Sequence, residues 1–252
     1  MPRKSYRVFG FLFVAALLVL WEVSARTWVS SQNWPPVTKV FVAGGAGVMT
    51  GELPRVFLSS LWRMLAGFAA GASLGVAIGL LMGRFRVVNS ALDTLVELVR
   101  PIPIPAIVPP LILLLGIDAT MKITIVAFAT FFPVLVNTIS GVRSVEKTAL
   151  DVARTFHVPP ARTLFRVVLP AAMPYIMVGL RTSLALALIV TVVAEMIAGS
   201  EGIGYYLMTM QFAMRAGDMY AAILLLALLG YVLNLLMLAV EKRVLHWFQR
   251  AG

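Results

Sequence analysis

Six apolar runs, at roughly 8–24, 61–83, 96–116, 121–141, 171–198 and 219–240, decide what this chain can become. Each is long enough, at about 20 residues, to cross a ~30 Å hydrocarbon core as a helix. Composition agrees: 60% of the 252 residues are hydrophobic, 13% are charged and the mean hydropathy is +0.93. A soluble domain carries about 25% charged residues, so there is too little polar surface here to cover a water-soluble globule. The reading is an all-α integral membrane protein with about six transmembrane helices, built as one unit. Arg3, Lys4 and Arg7 precede the first run as in a secretory leader, but no small-x-small cleavage site follows Trp21-Glu22-Val23. That run is read as a span.

A net charge of +10 would ordinarily raise nucleic acid or anionic ligands as partners. Orientation explains it first. With the N-terminus inside, Arg3, Lys4, Arg7, Arg84, Arg86, Arg143, Lys147, Arg154, Arg162, Arg166, Lys242, Arg243 and Arg250 fall in cytoplasmic segments, 13 of the 21 basic residues. Arg26, Lys39, Arg55, Lys122 and Arg215 make 5 outside. Lys and Arg gather on the cytoplasmic side, so both termini are expected there and nucleic acid is not a partner. With no cysteine, disulfides, thiolate nucleophiles and Cys-ligated metals are excluded.

The second run places Gly67, Gly71, Gly75, Gly79 and Gly83 four residues apart. This spacing lays a smooth groove along one helix face, where a second helix can approach closely. Gly71-Ala72-Ser73-Leu74-Gly75 matches the nucleophile-elbow pattern, yet it lies inside a helix, and His157 and His246 fall in polar cytoplasmic segments. A serine hydrolase needs a strand-to-helix elbow and a His base, so that reading fails. No catalytic, cofactor or metal set is visible.

In the third run Pro101, Pro103, Pro105, Pro109 and Pro110 fall within ten residues. Each removes a backbone donor, which lipid cannot replace. Two readings stay open: a broken helix of a translocation pathway, or an irregular entry with a clean helix only from Ile107. Within the spans, Arg181 can snorkel to the interface. Glu195, near the far end of the fifth run, is a pathway candidate or, more simply, a helix-end carboxylate meeting water. No chain of buried acids suggests a proton relay, and no grouping of intramembrane Arg or Lys suggests an anion site. Gly199-Ser200-Glu201-Gly202-Ile203-Gly204 reads as a flexible turn, with a short re-entrant or surface helix after it.

The polar segment Thr148–Pro170 differs from a plain connecting loop. Thr148 and Asp151 fit a capping box, Val158-Pro159-Pro160 ends the helix, and His157 stands where the chain must turn. The segment resembles the cytoplasmic signature of ABC-importer permeases, which reads Glu-Ala-Ala, three residues, Gly, nine residues, Ile, one residue, Leu-Pro. Asp151-Val152-Ala153 takes the first place, His157 replaces the Gly, Val167 the Ile, and Leu169-Pro170 closes it with every spacing kept. Arg100-Pro101-Ile102-Pro103, Phe132-Pro133-Val134-Leu135, Gly141-Val142-Arg143-Ser144 and Val193-Ala194-Glu195-Met196 are similar to segments of the same family, the permeases of ABC importers for nitrate, sulfonate, taurine and related compounds.

The resemblance runs from about Leu58 to Trp247. It divides the chain into an N-terminal span and periplasmic loop, 1–57, and a permease domain, 58–247, with its coupling loop at 148–170. It implies a type I ABC importer permease-like fold with a cytoplasmic coupling helix, in a bacterial inner membrane. It further implies a homodimer, cytoplasmic ATPase subunits received at Asp151, Val152, Ala153, Arg154, His157, Leu169 and Pro170, and a periplasmic solute-binding protein. The expected pathway residues are Pro101, Pro103, Pro105 and Glu195. The chain has no Gly-Lys pair, hence no Walker A loop, so ATP hydrolysis belongs to a partner. The alternative is an ATP-independent channel or secondary transporter, against which the scarcity of intramembrane charge counts.

Overall fold

The structure, a computed structural model, describes residues 3–29 and 31–246. Its helices are α1 (Arg3–Thr27), α2 (Val37–Met49), α3 (Glu52–Arg84), α4 (Arg86–Val99), α5 (Ile104–Leu115), α6 (Ala119–Arg143), α7 (Lys147–Thr155), α8 (Pro160–Thr163), α9 (Leu169–Ala198), α10 (Ile203–Phe212) and α11 (Ala216–Val244). A π-helical turn, Leu164–Val168, joins α8 to α9. No strand occurs among the described residues. Trp247 and Arg250, which figured in the expected domain limit and charge balance, lie outside them.

Among the described residues, α3, α6, the continuous stretch 160–198 and α11 are long and apolar enough to cross a membrane. The bent pair α4–α5 makes a fifth if it counts as one span. The first apolar run forms α1. The third is no single helix: after Val99 the chain turns through 99° and resumes at Ile104, not at Ile107. Pro101 and Pro103 occupy the break, and Pro105 sits in the first turn of α5, where a missing N–H costs little. Alone, α5 reaches only about 18 Å.

The glycines organise the centre. A Cβ on Gly67 would lie 2.6 Å from Val126, on Gly75 2.9 Å from Val134, on Gly79 2.6 Å from Thr138 and on Gly83 2.6 Å from Val142. Gly71 similarly abuts the Ala127 carbonyl and Thr130. Every glycine thus faces the residue 59 positions further on, so α3 and α6 run parallel in fixed register with their backbones almost touching. Such approach is what membrane helices use in place of a hydrophobic driving force. On its other side α6 receives α9, antiparallel: Ser183 Oγ donates to the Thr130 carbonyl at 3.0 Å, and Gly141 and Gly179 leave room at two further levels.

Outside this three-helix core α11 leans on α9, with Gly230 against Leu188, and α2 leans on α11, with Gly44 against Ala221. Trp21, Trp34 and Tyr220 cluster where α1, the chain before α2, and α11 meet, with ring centroids 5.4–6.0 Å apart. The beginnings of α3, α6 and α11 and the end of α9 share one end of the bundle with α10. The opposite end carries α7 and α8.

Candidate functional site

At the α7 end the chain leaves α6 and forms a short helix whose only buried residue is Ala153. The expected capping box does not form. The helix starts at Lys147 with Glu146 at its cap and no side-chain cap bond, so Thr148 is already inside the first turn. Asp151 instead accepts from Arg154 at 3.1 Å on the exposed face. The helix closes on a left-handed residue, His157, with φ of 51°. His157 N–H donates to the Arg154 carbonyl and Val158 N–H to that of Ala153, both at 2.9 Å. This pair of bonds is the Schellman closure that glycine favours for want of a Cβ clash. Val152, Phe156 and Phe165 stand 52%, 76% and 65% exposed around the turn. Leu169 and Pro170 follow the π-turn inside the continuous helical stretch 160–198, and Pro170 has no donor to return to the turn before it.

At the α10 end Glu195 is not the helix-end carboxylate of the simpler reading. Its carboxylate is 0% exposed and does not meet water. Arg63 donates to Oε1 through Nη2 at 2.7 Å and Nε at 3.3 Å. Ser60 Oγ lies 2.7 Å from Oε2, and Gly204 N–H donates to Oε2 at 3.1 Å. Ser60 in turn accepts from Ile203 N–H at 2.8 Å. The glycine-rich segment is likewise no loose turn. Gly202, at φ 103°, passes so close to the carboxylate that a Cβ would overlap it, and Gly204 packs on the Glu195 side chain. Glu195 therefore ties α9, α3 and the start of α10 into one joint. A buried charge of this kind is tolerable only when paired and hydrogen-bonded.

Arg63 has a second carboxylate, that of Glu201, which accepts from Nη1. Lys122, expected in an outside segment, is 1% exposed and lies in the field of Arg63, Glu195 and Glu201. The parallel register explains the meeting: the offset that pairs Gly67 with Val126 pairs Arg63 with Lys122 one turn earlier. Two cations and two carboxylates thus converge, where no grouping of intramembrane Arg or Lys was expected. Arg181 and Glu195, 14 residues apart on one helix, find separate partners, Arg181 approaching Glu241 at 3.9 Å.

Pro101, Pro103 and Pro105 are exposed, and none shares a hydrogen bond or ion pair with Glu195. Beside the joint, α3 and α10 enclose a cleft of about 530 Å³ lined by Glu52, Arg55, Ser59, Glu201, Tyr205 and Tyr206 among others. Burial and the charges of Glu52 and Asp218 push the Tyr206 phenol up to about 12. Among the described residues no group of His, Asp and Glu could hold a metal ion.

Residues 75–246 match the family described as binding-protein-dependent transport system inner membrane component. SsuC of Bacillus subtilis (strain 168), whose name assigns it to aliphatic sulfonates transport, is 32% identical over 247 residues, 97% of this chain and 90% of that one. The taurine transport system permease protein TauC of Escherichia coli (strain K12) is 30% identical over 92% of this chain and 86% of its own. In fold, the chain resembles one from an inward-facing MetNI methionine ABC transporter, with a TM-score of 0.62 at 17% identity over 73% of this chain and 94% of that one. An ATPase and a binding protein are the partners that such membership entails. A multi-pass bundle of apolar helices, a helix-and-turn projecting from one end and this match over most of its length make the chain a member of the binding-protein-dependent transport family, the membrane permease subunit of an ABC importer.

Proposed function

We propose that two copies of this chain form one pathway for a small organic or inorganic oxyanion, of which alkanesulfonates and taurine are the first to test. The names of the relatives support that substrate class. In this reading the α7 end faces the cytoplasm, α1 is a sixth span, and both termini are cytoplasmic. Residues 58–247 form the permease domain after an N-terminal unit of 1–57. The broken segment at Pro101, Pro103 and Pro105 borders the pathway, and a solute-binding protein delivers cargo at the α10 end.

The observation that carries the reading is α7 with its turn. A basic segment that holds Val152 and Phe156 in the open has an apolar face suited to a partner's groove, since exposed apolar clusters mark interaction sites. Asp151, Val152, Ala153, Arg154 and His157 form the docking element for one ATPase subunit per copy, and Leu169 and Pro170 join it to α9. On ATP-driven closure the ATPases pull on this element and α9 transmits the motion to the Glu195 joint. The test is affinity purification of the tagged chain from gently solubilised membranes, with partners identified by mass spectrometry. Recovery of an ATPase subunit near one-to-one is expected. Recovery of the chain alone, in a preparation that preserves related complexes, would sink the docking assignment.

A further inference from the structure

We infer that Arg63 and Lys122 form an anion site at the α10 end, that Glu201 occupies it as an internal stand-in, and that a small sulfonate displaces Glu201 on entry. The inference rests on the proposed substrate class and deepens it by assigning residues.

Arg63 holds two carboxylates of different standing. Glu195 is fully buried and is gripped by Ser60 and Gly204 as well, so it cannot leave. Glu201 has a side chain 62% exposed, belongs to a loop and lines the cleft of about 530 Å³. When it swings away, water solvates it, so it is the exchangeable partner. A guanidinium has donors on all three nitrogens. Nε and Nη2 remain committed to Glu195, while Nη1 is held only by Glu201, the residue through which Arg63 connects to the cleft lining.

Lys122 supplies the second observation. Its side chain is 1% exposed and forms no hydrogen bond or ion pair among the described residues, although Arg63 stands opposite in the helix register. The charges that act on it are those of Arg63, Glu195, Glu201 and Asp118, the last exposed at the start of α6. With Glu201 in place, the two buried cations are balanced by two carboxylates. With Glu201 lifted, one positive charge is left over in a poorly solvated place, and a singly charged oxyanion restores the balance. Ser59 and Ser200 along the cleft offer hydroxyl donors to its remaining oxygens.

A tethered carboxylate competes with a free ligand at the tether's effective concentration, which lies in the millimolar range for short connections. Removing its charge must therefore tighten anion binding. The experiment is isothermal titration of the full chain in lipid nanodiscs with methanesulfonate, comparing the natural protein with Glu201→Gln. The substituted side chain is exposed and keeps its shape, and thermal unfolding of both forms, recorded alongside, tells a loss of fold from a loss of binding. Binding about tenfold tighter in Glu201→Gln is expected, with no such gain for methylammonium. Equal or weaker methanesulfonate binding, no binding to either form, or an equal gain for methylammonium would overturn the inference. Uptake by the intact importer separates the two levels. Tighter binding in Glu201→Gln without taurine or sulfonate uptake would keep the anion site and sink the sulfonate reading. Uptake without the tightening would do the reverse.

Discussion

At the scale of single residues, two positions carry a cost that a substitution can relieve or expose. His157 holds φ at 51°, where a Cβ approaches the following carbonyl, a strain of about 1 kcal/mol that glycine escapes. His157→Gly is expected to retain transport and to raise thermal stability slightly, read as an upward shift in Tm with an unchanged uptake rate. A loss of uptake would assign the imidazole a role of its own. Tyr206 is buried on α10 with its phenol pushed up from 10.0 to about 12. The folded state therefore keeps a proton that the unfolded chain loses first. Stability is unaffected below pH 10 and falls as pH rises from 10 toward 12. Tyr206→Phe should flatten that alkaline decline in unfolding curves recorded across the range, and an unchanged slope would refute the assignment.

Helices show most plainly what a sequence discloses. The glycine groove of α3 was legible because a four-residue spacing fixes a face whatever the tertiary context. What sequence could not name was its partner, since α6 begins 52 residues after Gly67. The Arg63–Glu195 pair was hidden for the same reason: 132 residues separate the two, and a carboxylate near a helix end looks solvated until the chain folds back over it. α4 escaped notice because its apolar residues belong to a helix with no buried side chain, and α2 because its 13 residues are too few to span. The register yields its own prediction. Gly71→Leu drives a side chain into the Ala127 carbonyl and Thr130, whereas Gly45→Ala meets nothing within 4 Å. The former should cost about 1–3 kcal/mol or more and lower the monodisperse fraction in detergent, while the latter leaves both unchanged. Equal behaviour of the two would mean that the helices do not pack as described.

For the whole molecule, the two ends have different chemistry. One presents an exposed helix and turn, the other a buried network beneath a polar cleft. Asp151 separates folding from assembly. Its side chain is 66% exposed and, among the described residues, is bonded by Arg154 alone, so its loss scarcely affects the fold. Asp151→Lys is expected to leave the purified membrane chain intact while lowering co-purification of the ATPase, and undiminished recovery would count against docking at α7. The segment was legible through its spacing over twenty-odd residues, even with His157 in place of glycine. Its helix start was not, because Glu146 rather than Thr148 occupies the cap.

The parallel pairing of α3 with α6 restricts how such a molecule can change access. A pair keyed together at five successive turns cannot serve as a sliding surface, because a slip of one residue would drive a side chain into the opposing backbone at every level. The two helices must travel as a single strut. The 99° elbow between α4 and α5 lies outside that constraint, and there Pro101 and Pro103 have removed hydrogen bonds that would resist bending.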